Sequence, residues 1–239
     1  MMQQLLLELA PAPAPTLENF FAGPNEHALA ALRHALTRGE RVVYLHGAPG
    51  SGKSHLLRAA ARHIETLGAT ALYVPAPHAD LASRYGERIA SNRNSEDGNV
   101  LRHNLLAVDD VERLDAASQQ ALFDVFNVLQ SGSSRLLGAG TQPAVDLPLR
   151  EDLRTRLGSG VSLRLVPLDD EQKHAALSWH ATQRGLRLAP EIVAYVLTHC
   201  SRDMGTQIAV LDALDRYSLE HKRPVTLPLL RVALKDVER

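Results

Sequence analysis

The sequence predicts an α/β domain, a five-stranded parallel sheet flanked by helices, followed by a small domain made only of helices. Three observations predict it. Short apolar, β-branched runs alternate with helical stretches as far as Pro167. The first such alternation contains Gly47-Ala48-Pro49-Gly50-Ser51-Gly52-Lys53-Ser54, which fits the phosphate-loop pattern GxxxxGK[ST] between a strand and a helix. After Pro167 the strand signals stop and helical spacing takes over.

Residues 1–9, MMQQLLLEL, lead into Ala-Pro repeats from Ala10 to Pro15. Proline at every second position blocks helix and favours an extended spacer, so residues 1–15 read as a tethered peptide on a linker. Asn25–Thr37 carries a helical stripe of Ala28, Leu29, Ala31, Leu32 and Leu36. Arg41–His46 (RVVYLH) reads as the first strand and His55–Leu67 as the helix after the loop. Thr70–Pro75 is a second strand, Asp80–Ile89 a short helix, and Ser91–Asn99 a polar loop without period. Asn104–Asp110 (NLLAVDD) is a buried strand that ends in two acids. Ala117–Gln130 is amphipathic, with Leu122, Val125, Phe126 and Leu129 on one face. Arg135–Ala139 and Val161–Val166 complete the strands. Glu171–Arg184, Pro190–His199, Asp203–His221 and Leu227–Val237 are the helices of the second domain. The expected organisation is peptide and linker 1–15, α/β domain 16–167 and helical lid 168–239.

Composition narrows the function. With 45% hydrophobic and 22% charged residues, the 239-residue chain has a soluble globular make-up. A net charge of −1 gives no global drive toward nucleic acid, and 4% aromatics argue against a base-stacking platform. A single cysteine, Cys200, forms no intramolecular disulfide and fits a reducing compartment; its apolar neighbours suit a core position. No apolar run is long enough for a membrane span, and the N-terminus lacks a secretion signal, so a cytoplasmic location with no membrane partner is expected. The eleven histidines show no metal-site spacing, and Trp179 reads as a packing anchor of the lid.

The loop carries the first chemistry. Its glycines let backbone N–H groups converge on a phosphate, and the new helix adds the positive end of its dipole. Gly47, Pro49, Gly50, Ser51, Gly52, Lys53, Ser54 and His55 are the expected cofactor-binding residues. Lys53 can reach the β- and γ-phosphates, and the Ser54 hydroxyl can ligate Mg²⁺. Asp109 can hold the same Mg²⁺, usually through water, and Asp110 can orient the attacking water; otherwise the two are capping acids at a strand end. Thr141, after the Arg135–Ala139 strand, is either a γ-phosphate sensor (sensor 1) or an ordinary turn residue. Arg154 and Arg156 lie in EDLRTRL, where an exposed Arg can reach a neighbour's γ-phosphate; otherwise each is an ordinary solvated Arg at a helix end. Arg202, at the start of the third lid helix, can contact the chain's own nucleotide or pair with Asp203.

Phosphate loop, Asp-Asp strand, Arg-rich box and helical lid together resemble the AAA+ family, and more narrowly its DnaA-related branch. LENFFAGPNEHALAA at Leu17–Ala31 is similar to the initiator segment that lies against adenine, and LLAVDDVERL to its Walker B stretch. Arg154-Thr155-Arg156-Leu157 resembles the box that carries its arginine finger. The sequence ends at Arg239, after the lid, so the initiator's helix-turn-helix domain is not expected here. The whole resembles the Hda family, regulatory inactivators of DnaA, including PLDDEQKHAAL and LDALDRYSLEHKRPVTLP in the lid.

That resemblance implies the following. Gln4, Leu5, Leu7 and Leu9 form a binding motif for the sliding clamp, the DNA polymerase III β subunit, although Glu8 stands where the family often has proline. ADP is the favoured ligand, with ATP the alternative, together with Mg²⁺, and nucleotide sets the angle between the α/β domain and the lid. Arg156 enters the ATP site of DnaA in trans and promotes hydrolysis, which blocks re-initiation. DNA is met only through the clamp, the chain's own ATP turnover is weak or absent, and self-association stays open. The competing reading is a self-hydrolysing ATPase or helicase-loader-type remodeller.

Overall fold

The computed structural model describes residues 14–38, 40–76, 81–82, 104–129, 134–186, 188–200, 203–221, 225–228 and 230. Gln4, Leu5, Leu7, Leu9 and Arg202 lie outside the described residues, as do loop 91–99 and most of the expected helices at 80–89 and 227–237. The chain divides into two compact units, Pro15–Pro167 and one that begins at Leu168.

In the first unit the strands are β1 (Val42–His46), β2 (Ala71–Val74), β3 (Leu105–Val108), β4 (Arg135–Gly140) and β5 (Val161–Arg164). The helices are α1 (Glu26–Arg38), α2 (Lys53–Thr66), α3 (Ala116–Leu129) and α4 (Glu151–Gly158). The sheet order is β2-β3-β4-β1-β5, and every pair is parallel. The strand after α3 therefore sits between the loop-bearing β1 and the acid-bearing β3. Parallel pairing puts all five carboxyl ends on one edge of the sheet, where ligands of open α/β sheets bind.

Alternation along the strands divides the core. Leu106 and Val108 join Tyr44 and Leu136 on one face, packed with Leu122, Val125 and Phe126 of α3 and with Leu153 and Leu157 of α4. Leu105 and Ala107 join Val43, Leu45, Leu137 and Ala139 on the other face, under α1 and α2. Both faces are covered, so the strands read as continuous apolar runs.

Strand β3 stops at Val108, short of the expected Asp110. Asp110 has φ 42°, the one positive φ among the described non-glycine residues, and it turns the chain off the sheet. Helix α2 begins at Lys53, two residues earlier than expected, because Gly52 in the left-handed region serves as its N-cap.

The second unit contains α5 (Asp170–Gln183), α6 (Pro190–His199) and α7 (Met204–His221). A capping box closes the start of α5, with Asp169 accepting from Gln172 N–H and the Gln172 side chain accepting from Asp169 N–H. Leu177, Ile192, Val193, Val196, Leu211 and Leu214 form its core, with Cys200 half-buried beside them. Trp179, read from the sequence as a packing anchor, is half-buried with its ring edge-on to His180.

Candidate functional site

The phosphate loop leaves the carboxyl end of β1 and runs into α2. Gly47 passes so close to the next strand's exit that a Cβ would stand 2.1 Å from the carbonyl oxygen of Leu165. At Gly52 a Cβ would meet the Phe20 ring at 2.6 Å, and Gly50 has φ 78°. Gly47 N–H donates to Gly140 O, which ties the loop to the end of β4. The Lys53 side chain is buried, and its ammonium donates to Gly47 O at 2.7 Å and Ala48 O at 3.2 Å. Ser51 Oγ is buried without a hydrogen-bond partner among the described residues. The first N–H groups of α2 have no acceptor within the helix.

These features fit a bound phosphate chain. Lys53 and the orphaned Ser51 hydroxyl would serve it, and Ser54, at the second position of α2, would face its cation.

The lead-in segment packs on this loop. His55 Nε2 lies 3.1 Å from Thr16 O, and the His55 ring stands 5.4 Å from that of Phe20. Buried Asn25 donates to Val166 O and accepts from Val166 N–H, which fastens the segment to the exit of β5. Burial holds His55 below its ordinary value of 6.5; its bond to Thr16 opposes this, and the Arg58 charge adds to it. As pH falls, the unfolded chain takes up this proton before the folded one. The contribution is therefore complete above about pH 6.5 and fades below it. Urea midpoints from pH 7.5 to 5.5 should fall more for the wild type than for His55→Gln; parallel curves would contradict this.

Asp109 and Asp110 follow β3 and part company at once. Asp109 is buried, accepts from the Tyr73 hydroxyl at 2.8 Å, and holds Asp110 N–H at 3.1 Å. Asp110 is half-exposed, with Arg113 at 3.7 Å. Desolvation raises its pKa, Asp109 and Glu112 add to the rise, and Lys53 and Arg113 oppose it. Lys53 is thus close enough for its charge to be felt at the second acid. Thr141 follows β4, its side chain exposed and its N–H donating to Glu112 Oε1 at 3.0 Å. Loop, acids and Thr141 meet on one edge because β1, β3 and β4 are parallel neighbours.

Arg156 lies elsewhere. Helix α4 runs back along the sheet, and Gly160 after it is pressed on Val42, where a Cβ would stand 2.3 Å from Val42 O. The Arg156 guanidinium stacks on Phe123, 4.4 Å from the ring centroid, and stands 6.0 Å from Phe126. It lines a cavity of about 480 Å³ with Glu40, Arg41 and Val42, at the amino end of β1. The phosphate loop is at the carboxyl end, four residue steps or about 13 Å along the strand. Arg156 has no carboxylate partner among the described residues. The sequence pointed to Pro49 and Arg154 as well. Pro49 stands exposed in the loop, and Arg154 is half-exposed one turn of α4 beyond Arg150, whose carbonyl its N–H reaches.

Several residues escaped the sequence reading. Tyr73, Glu112, Phe123 and Asn25 act through contacts between elements distant in the chain, which periodicity does not carry. No group of three His, Cys, Asp or Glu side chains with metal-site geometry occurs among the described residues. No helix among them is long and apolar enough to cross a membrane.

Comparison with known proteins gives two family matches. Residues 12–164 match the bacterial DnaA ATPase domain, and residues 170–234 match the Hda lid domain. A replication initiator DnaA bound to AMPPCP and single-stranded DNA is 25% identical, with TM-score 0.66 over 89% of this chain and 69% of that one. Domain III of the Thermotoga maritima replication initiation protein DnaA is 21% identical, with TM-score 0.71 over 95% and 98%. The Thermotoga maritima RuvB Holliday junction branch migration motor is 20% identical, with TM-score 0.59 over 94% and 71%. At these last two identities the likeness is one of fold, the AAA+ arrangement of sheet and helices.

Proposed function

This chain belongs to the bacterial DnaA ATPase family and carries an Hda lid, which makes it a DnaA-related replication regulator, and we propose that it acts on the nucleotide of another protein, DnaA. The observation that carries this reading is the separation of Arg156 from the chain's own phosphate loop. An arginine at the amino end of the strands cannot serve a phosphate bound at their carboxyl ends. It is exposed enough to meet a partner, it has no carboxylate partner among the described residues, and its orientation is supported by the Phe123 ring.

The mechanism has two halves. At the carboxyl edge, the loop residues from Gly47 to Ser54 would hold ADP or ATP, and Ser54 and Asp109 would hold Mg²⁺, which would neutralise phosphate charge. Lys53 would exchange the Gly47 and Ala48 carbonyls for phosphate oxygen. Asp110 and Thr141 would act on a γ-phosphate, Asp110 orienting water and Thr141 sensing the phosphate. At the other edge, Arg156 enters the ATP site of DnaA and offsets charge that develops on the transferring phosphoryl group. Hydrolysis leaves DnaA with ADP and prevents re-initiation. The bond that breaks is in DnaA's nucleotide, so this chain supplies one side chain to another protein's reaction.

Gln4, Leu5, Leu7 and Leu9 bring the protein to the DNA-loaded β clamp. The leucines enter an apolar cleft, and tethering raises the local concentration near DnaA. Gln4→Ala combined with Leu5→Ala should abolish retention on immobilised clamp without changing the thermal unfolding curve. Retention at the wild-type level would remove the docking role.

The test of the whole is hydrolysis of DnaA-bound ATP with loaded clamp, ADP and this protein, omitting one component at a time. Hydrolysis should need all of them. ATP that stays intact with every component present would overturn the proposal.

A further inference from the structure

We infer that Tyr73 is the positioning residue that sets cation affinity at this nucleotide site, through its hydroxyl on the Asp109 carboxylate. The inference rests on the reading that Asp109 holds Mg²⁺ beside a bound nucleotide.

The placement follows from register. Tyr73 pairs with Ala107 across the β2–β3 ladder. Asp109 lies two residues beyond Ala107, on the same face by the alternation of a strand, and this is the face that α2 covers. The Tyr73 side chain leans along the strands toward the carboxyl edge, and its hydroxyl donates to Asp109 Oδ2 at 2.8 Å. Asp110 N–H takes Oδ1 at 3.1 Å. A donor on each oxygen holds the plane of the carboxylate in place.

Tyr73 is itself held. The Arg58 guanidinium from α2 stands 5.1 Å from its ring centroid. The connection therefore runs from the helix that begins at Lys53, through β2, to the acid after β3. Asp109 is almost fully buried, and a buried carboxylate without a fixed donor is costly to keep charged and free to turn. Partners of this outer kind change metal affinity by about 10- to 100-fold when they are removed. A carboxylate that holds its cation through water should sit at the low end of that range.

The experiment is a magnesium titration of the full chain with the fluorescent nucleotide MANT-ADP. Four proteins are compared: wild type, Tyr73→Phe, Asp109→Asn and the double variant. Tyr73→Phe keeps the ring and its contact with Arg58 and loses only the hydroxyl. It should raise the magnesium midpoint about tenfold, with MANT-ADP affinity in EDTA unchanged, which also shows that the site is folded. In the Asp109→Asn background the same change should have no further effect, since its target is gone. A wild-type midpoint for Tyr73→Phe beside a shifted Asp109→Asn would overturn this inference alone. Additive shifts in the double variant would do the same. An unshifted Asp109→Asn would overturn the underlying reading of Asp109 and this inference with it.

Discussion

Arg156→Ala is expected to reduce stimulated hydrolysis of DnaA-bound ATP by about 10³-fold or more, the range in which arginine fingers act. The variant should bind MANT-ADP and loaded clamp as the wild type does. Arg156 lines a cavity at the amino end of β1, and the phosphate loop lies at the other end. The change also removes a stacking contact on Phe123 at a half-exposed site, which contributes about 1 kcal/mol to stability. Loss of activity with intact folding therefore points to the guanidinium itself. Arg156→Lys is the sharper probe, because it keeps the charge and loses the planar fork and the stack. If Arg156→Ala stimulates normally, the finger is elsewhere, and Arg154→Ala is the next variant.

Gly47→Ala should have the second large effect, on stability. Its Cβ would stand 2.1 Å from Leu165 O. That oxygen belongs to backbone, and Leu165 N–H is fixed to His46 O at 2.7 Å. Neither side can yield without parting β1 from the exit of β5. A cost of about 3 kcal/mol is expected, which lowers the urea midpoint by about 1 M or more. Gly50→Ala in the same loop is the control. It meets nothing within 4 Å and adopts φ 78°, so only backbone strain of about 1 kcal/mol applies. Far-UV circular dichroism of the two variants in urea checks the order. Equal midpoints would show that the loop moves freely against β5.

The sequence made the phosphate loop legible because that chemistry is local: three glycines, a lysine and a serine act through one turn of chain. The strands were legible because burial on both faces leaves them uniformly apolar. Their ends were less so. Asp110 reads as the end of a strand, but its left-handed backbone takes it off the sheet. Lid helices were readable by spacing, because each buries one apolar stripe against the others.

What depended on strand order was not legible. That Arg156 stands away from its own loop follows from how α4 runs back to Val42, and no spacing of residues in the chain carries that fact. The Tyr73–Asp109 bond requires the β2–β3 register, and the Glu112–Thr141 bond requires β4 beside β3. For Thr141, the sequence left sensor and turn residue equally open. Its position after the strand between β1 and β3 supports the first in the proposed reading.

In the proposed reading, the parallel sheet gives the α/β unit two poles, with the nucleotide loop at the carboxyl end of β1 and the Arg156 guanidinium near its amino end. A contact between the arginine pole of one molecule and the nucleotide pole of a relative has no two-fold axis. Each joint then leaves one unlike pole exposed at either end, as in a row of couplings. Geometry of this kind sets direction but not number, so the count of partners engaged at once has to be limited by something other than symmetry.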